Sequence, residues 1–171
     1  MKIGVQLNPQ VSIDKPVPSL LPTLAEQVRV ADATGFAAFS MGEHYNIPGL
    51  QRLHQIPALA RLCAEVKHCA VGTAVTLLGL RHPVTIANEL ASLDVINGGK
   101  SFAAFGLGYR DDELNAFHLT PAQRFHRFVE GVEIIYASGL SGDDKISLEG
   151  PVPGVMGTIL GKQRAGQVRG D

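Results

Sequence analysis

Cysteine is scarce: Cys63 and Cys69 are the only two in 171 residues, too few for the disulfide framework of a small secreted domain. Both lie in or beside apolar runs, which predicts two buried free thiols in a reducing compartment. Neither sign of charge is in excess. The 15 basic and 16 acidic residues leave a net charge of -1, so there is no electrostatic case for gripping a phosphate backbone or an anionic membrane. No apolar run approaches the roughly 20 residues that span a bilayer. No basic segment followed by a long apolar stretch and a cleavage site opens the chain. The expectation is a cytoplasmic protein with no nucleic-acid or membrane partner. Internal repeats are missing, and so is zinc-type ligand spacing: His54 lies too far beyond His44, and no second histidine or carboxylate follows at the intervals such sites favour. No metal is expected.

Hydrophobic residues make up 45% of the chain, an ordinary share for a globular domain. Lys2 to Leu7 is a short β-prone run that breaks at Asn8-Pro9. Leu20, Leu24, Val28 and Ala31 recur at helical spacing and stop at Gly35. Phe36 to Met41 reads as a second strand, and Pro57 opens a helix through Val66. Val71 to Leu78 is β-branched and almost wholly apolar, as in a strand covered on both faces. Pro83 starts a third helix that ends at Asn97-Gly98-Gly99, and Phe102 to Phe105 is a fourth strand. Thr120-Pro121-Ala122-Gln123 has the form of a capping box leading a fourth helix to about Ser138. Four strands alternating with four helices predict an α/β fold with a parallel sheet, either a barrel or an open doubly wound sheet.

From about Gly139 the texture changes to frequent glycine with Pro151 and Pro153. Ile146 to Gly150 reads as one short strand or hairpin arm, and residues 149–171 as an irregular, glycine-rich tail. The division expected is a domain over 1–148 followed by that tail.

In a parallel barrel the residues just past the strand C-termini face the active site, and those just before a strand lie on the stabilising rim. That rule puts Asn8, Glu43-His44-Tyr45, Arg81-His82 and Gly106 through Glu113 on the functional face, and Lys100 on the other. Glu43 beside His44 is the sharpest feature, since a carboxylate and an imidazole supply a proton acceptor and donor near neutral pH. Gly106-Leu107-Gly108 permits close backbone approach to a planar or phosphorylated ligand, but Asp111 stands where a dinucleotide fingerprint needs its third glycine. Arg81-His82 reads as a helix entrance, Arg110-Asp111-Asp112-Glu113 as a solvated turn.

These segments in order resemble the bacterial-luciferase-like family of flavin-dependent monooxygenases, which also includes deazaflavin-dependent oxidoreductases. The resemblance runs from Met1 to about Leu148 and rests on Gly35-Phe36, Glu43-His44-Tyr45, Val71-Gly72-Thr73-Ala74-Val75, Arg81-His82-Pro83, Leu93-Asp94 with Asn97-Gly98-Gly99-Lys100, and Gly106-Leu107-Gly108-Tyr109 with Asp112-Glu113-Leu114. It implies a TIM (β/α)8 barrel with reduced flavin across its strand ends, and a non-proline cis peptide at Ala74-Val75. It implies His44 as the group that assists proton transfer, with Glu43 orienting it. The cofactor contacts implied are Asn8, Thr73, Ala74, Val75, Gly106, Gly108 and Tyr109. Tyr109 stands where some deazaflavin enzymes carry glutamate, which favours FMN over the deazaflavin coenzyme. The implied reaction oxidises a small organic substrate with dioxygen. Asn97 and Lys100 depart from the usual Ser-Gly-Gly-Arg, on the stabilising rim.

TIM barrels typically need about 250 residues. The expectation for this shorter chain is therefore a truncated half-barrel of about four β–α units, completed by self-association or by a partner chain. A non-catalytic flavin-binding half-barrel is the rival expectation.

Overall fold

The computed structural model describes residues 2–137, 147–148 and 157–159. Strand β1 (Gly4–Leu7) is followed by the short β2 (Gln10–Ser12), helix α1 (Leu20–Ala33), β3 (Ala38–Met41), the short β4 (Leu50–Arg52) and α2 (Gln55–Cys63). Then come β5 (Ala70–Leu77), α3 (Pro83–Ile96), β6 (Ser101–Gly106), α4 (Asp111–Ala116), α5 (Pro121–Ala137), β7 (Ser147–Leu148) and β8 (Gly157–Ile159).

The main sheet runs β1-β3-β5-β6-β8-β7, and its first four strands are parallel. Those four lie side by side in strict chain order. A doubly wound sheet reverses its winding at a switch point, whereas a barrel adds each strand beside the last. The order therefore decides for the barrel-type sheet. The four predicted strands correspond to β1, β3, β5 and β6.

Helix α1 buries Leu20, Leu24, Ala25, Val28 and Ala31, the predicted stripe extended by one alanine. Leu20, Leu24, Ala25 and Val28 pack with Leu59 and Leu62 of α2 over Phe39 and Val71 of the sheet. A second cluster joins Leu78, Ile86, Phe105, Phe128 and Ile135 beneath α3 and α5. Each large apolar side chain so buried contributes about 1.5–3 kcal/mol, which fixes the sheet's curvature under its helices. Thr120 and Gln123 form the capping box: the Thr120 amide donates to Gln123 Oε1 at 2.9 Å and the Gln123 amide to Thr120 Oγ1 at 3.2 Å.

Several elements differ from expectation. Helix α2 begins at Gln55, two residues before Pro57, because the first-turn amides have no helical acceptor and a proline there loses nothing. Strands β2 and β4 pair antiparallel across the loops that follow β1 and β3. The run Arg110 to Glu113 is no solvated turn: Asp111–Ala116 is helix, with Glu113 and Leu114 buried. At the far edge β8 pairs antiparallel with β6, and β7 with β8, so that edge is covered and Gly157–Ile159 is strand. The remainder of the expected tail lies outside the described residues. Among the described residues no helix is long and apolar enough to cross a membrane.

Candidate functional site

A cleft of about 710 Å3 opens at the C-terminal ends of the four parallel strands, a size typical of small-molecule sites. It is lined by Asn8 after β1, Glu43 and His44 after β3, Ala74 and Val75 of β5, Gly106 at the end of β6, and Gly108 and Tyr109 after it. Thr73 does not line it. Its side chain is fully buried, with Oγ1 3.3 Å from both the Ala104 carbonyl oxygen and the Ala104 amide nitrogen.

The wall of the cleft is made at β5. Its register with β6 shifts between Ala74 and Thr76, and the Ala74-Val75 peptide is cis, in agreement with the sequence resemblance. Side chains hold the backbone around it. Gln6 Nε2 donates to the Ala74 carbonyl at 2.8 Å. Gln55, which is buried, donates from Nε2 to the carbonyls of Met41 at 2.6 Å and Val75 at 3.2 Å, while its Oε1 accepts the Thr76 hydroxyl at 2.7 Å. The Glu43 amide donates to the Val75 carbonyl at 3.0 Å. Gly106 faces this bulge so closely that a Cβ there would sit 2.4 Å from Val75 Cγ2. The wall here is consequently closely packed and made of small side chains.

Glu43 and His44, although adjacent, hold different partners. Glu43 is 3% exposed. It accepts the Leu77 amide at 2.8 Å and the Tyr45 hydroxyl at 2.5 Å, and it pairs with Arg81 at 3.4 Å. The expected Glu43–His44 orientation is thereby corrected: the carboxylate on His44 is Glu113, whose Oε1 lies 3.0 Å from His44 Nδ1 and also accepts the Tyr45 amide at 2.7 Å. Glu113 is 1% exposed. Leu114, packed with Leu77 and Leu80, ties its helix beneath the cleft. The Asp112 carboxylate, paired with Arg110, accepts the Glu113 amide at 3.0 Å.

Tyr45 thus bridges two buried carboxylates, Glu43 through its hydroxyl and Glu113 through its amide. Burial, reinforced by Glu43, pushes the Tyr45 phenol above the ordinary tyrosine range, so it stays a proton donor. Arg81 is more than a helix entrance, since it links Glu43 to Glu89. Tyr109 is 76% exposed and stands edge-on to the His44 ring at 6.1 Å.

Sequence reasoning missed Arg52 and Glu113. Arg52 lines the cleft, donates to the Gly42 carbonyl and to Gln10 Oε1, and is held below the ordinary arginine range by burial, against the pull of Glu43 and Glu113. Nothing in its local sequence marks it. The sequence places Glu113 on the functional face and in the motif of the resemblance, but its run reads as a solvated turn and not as the partner of His44. Among the described residues no group of three or more His, Cys, Asp or Glu is placed to hold a metal ion.

A family model described as luciferase-like monooxygenase matches residues 1–152. The solved structure of the monooxygenase RslO1 from Streptomyces bottropensis superimposes with a TM-score of 0.75 at 26% identity, over 98% of this chain and 51% of its own. The oxygenase component of the flavin-dependent trigonelline monooxygenase of Acinetobacter baylyi is 28% identical over 91 residues, 53% of this chain and 25% of that protein. The 5,10-methylenetetrahydromethanopterin reductase of Methanopyrus kandleri is 28% identical over 108 residues, 63% of this chain and 27% of that protein. The chain therefore spans about half the length of RslO1 and matches about a quarter of each of these two curated relatives.

Proposed function

This chain belongs to the luciferase-like monooxygenase family, and from that premise we propose that its cleft takes reduced FMN, with dioxygen as the oxidant of a small organic substrate. The observation that carries the reading is the meeting of His44, the Ala74-Val75 peptide and the Gly106–Gly108 bend around one cleft. The small groups of Ala74, Val75 and Gly106 would take a tricyclic ring, with Asn8 and Tyr109 also lining the cleft. Bound flavin would supply the redox chemistry. The chain's own residues bind and orient the ring, and His44 holds or moves a proton at a ring nitrogen, the work general acid–base groups do near neutral pH.

Glu43 supports this arrangement from behind rather than touching His44. Its contacts with the Leu77 amide, Tyr45 and Arg81 hold the strand ends of β3 and β5 together. The cytoplasm is the compartment proposed, in keeping with the two free, buried thiols of Cys63 and Cys69. The working unit proposed is an assembly, a second copy or a partner chain closing the barrel beside β1. The outer edge of β1 carries no ladder among the described residues, and Ile3 nearby is 54% exposed.

The test is oxygen consumption by the full chain with a reductase supplying reduced FMN. Turnover that falls by about 10²-fold or more in His44→Ala supports the reading. FMN binding without turnover in the wild type favours a half-barrel that only binds flavin, and turnover with the deazaflavin alone moves the assignment to that cofactor.

A further inference from the structure

We propose that Glu113 is a positioning residue that fixes the proton of His44 on Nδ1, so that Nε2 is the proton acceptor presented to the cleft. The inference deepens the reading above and rests on it for its consequence in turnover; its structural core needs no cofactor.

Glu113 Oε1 lies 3.0 Å from His44 Nδ1 and 2.7 Å from the Tyr45 amide nitrogen. A backbone amide can only donate. As a carboxylate oxygen, Oε1 has no hydrogen of its own to give, so the hydrogen between it and His44 sits on Nδ1. The Tyr45 amide belongs to the residue next to His44, so one oxygen clamps both the ring and its backbone. The other oxygen, Oε2, is buried with no hydrogen-bond partner among the described residues, and Oε1 carries all the directed contacts.

His44 keeps 27% of its side chain exposed and lines the cleft. Its Nε2 has no partner among the described residues. With Nδ1 occupied, a neutral His44 meets a ligand with the Nε2 lone pair. When it accepts a proton there, the positive charge that forms lies against a carboxylate already in place, an arrangement that orients an imidazole for base catalysis. The proton leaves the ligand atom facing Nε2 and ends on Nε2; the Nδ1 proton stays where it was.

The test is long-range 1H–15N correlation NMR of the full chain labelled with 15N at histidine, near pH 8.5, about two units above the ordinary histidine range. The His44 signal is identified by its loss in His44→Gln. Wild type is expected in the Nδ1–H form. Glu113→Leu is expected to move it to the Nε2–H form, which an unconstrained imidazole favours. Glu113→Gln is expected to keep Nδ1–H, because only the amide oxygen can accept from the Tyr45 amide. An Nε2–H ring in the wild type overturns the proposal without any variant, as does an unchanged ring in a folded Glu113→Leu. In the turnover assay, Glu113→Leu should lower kcat by about 10²-fold with little change in flavin affinity. The double variant with His44→Ala should be no worse than His44→Ala alone. A chain that never turns over refutes the proposed function and leaves the tautomer result standing.

Discussion

Glu113 sets a carboxylate oxygen 3.0 Å from His44 Nδ1 across 69 residues of chain, while Glu43, the neighbour of His44, faces Tyr45 and Arg81 instead. Adjacency in sequence and partnership in space are opposed here, since the two neighbours hold different partners. One carboxylate serves the imidazole and the other serves the scaffold. Their substitutions therefore have different consequences.

Removing the Tyr45 hydroxyl tests the scaffold half of that division. Tyr45→Phe takes from Glu43 Oε1 its 2.5 Å donor and leaves that oxygen only the longer 3.4 Å hydrogen bond from Arg81; a hydrogen bond to a charged group contributes about 1.5–3 kcal/mol. Urea unfolding should show that loss. Unaltered stability would mean that Arg81 alone satisfies that oxygen.

The wall of the cleft tolerates no side chain at Gly106. A Cβ there would meet Val75 Cγ2 at 2.4 Å, so Gly106→Ala forces β5 and β6 apart, at about 1–3 kcal/mol for an overpacked site. Thermal unfolding should shift down accordingly, and a Val75→Ala change in the same chain should restore most of it.

On the opposite rim, Asp32 at the end of α1 accepts the amides of Lys67, His68 and Cys69. Burial would raise its carboxyl, but those three backbone donors outweigh it and hold the group at about 2, below the ordinary 3.8. A depressed folded value contributes stability that is complete above the unfolded value and lost as pH falls through the folded one. The stability gap between wild type and Asp32→Asn should therefore be constant from neutrality down to about pH 5 and close between about 4 and 2. A gap that widens on acidification contradicts this assignment.

The proposed assembly is checked by light scattering. A chain whose β1 edge takes a second copy should scatter above its own 18.2 kDa, and a tight monomer at that mass would count against a self-completed barrel.

How much of this was legible in the sequence depended on period and length. The four parallel strands and their helices carried clear signals: β-branched runs between breakers, Pro83 and Pro121 at helix starts, the Thr120–Gln123 capping box. Strands β2 and β4 did not, because three residues each are too few to show alternation. Helix α4 was hidden by its charges. Arg110 to Glu113 reads as solvated because charged residues are seldom buried, and only the packing of Leu114 against Leu77 and Leu80 turns Glu113 inward. Thr73 shows the reverse case. It sits in the strand that forms the cleft wall, yet its position in the pleat turns it into the sheet, where its hydroxyl stays with Ala104. The face on which the cleft opens was readable from strand ends, while the contact between His44 and Glu113 across it was not.

The most direct measurement is an equilibrium titration of FMN, oxidised and reduced, against the full chain and against Ala74→Phe, whose ring would occupy the cleft beside Val75, with circular dichroism confirming that both are folded. Saturable binding by the wild type that is lost in Ala74→Phe is the predicted result. Absence of binding, or equal binding by the two proteins, would contradict the placement of the flavin against the Ala74-Val75 wall.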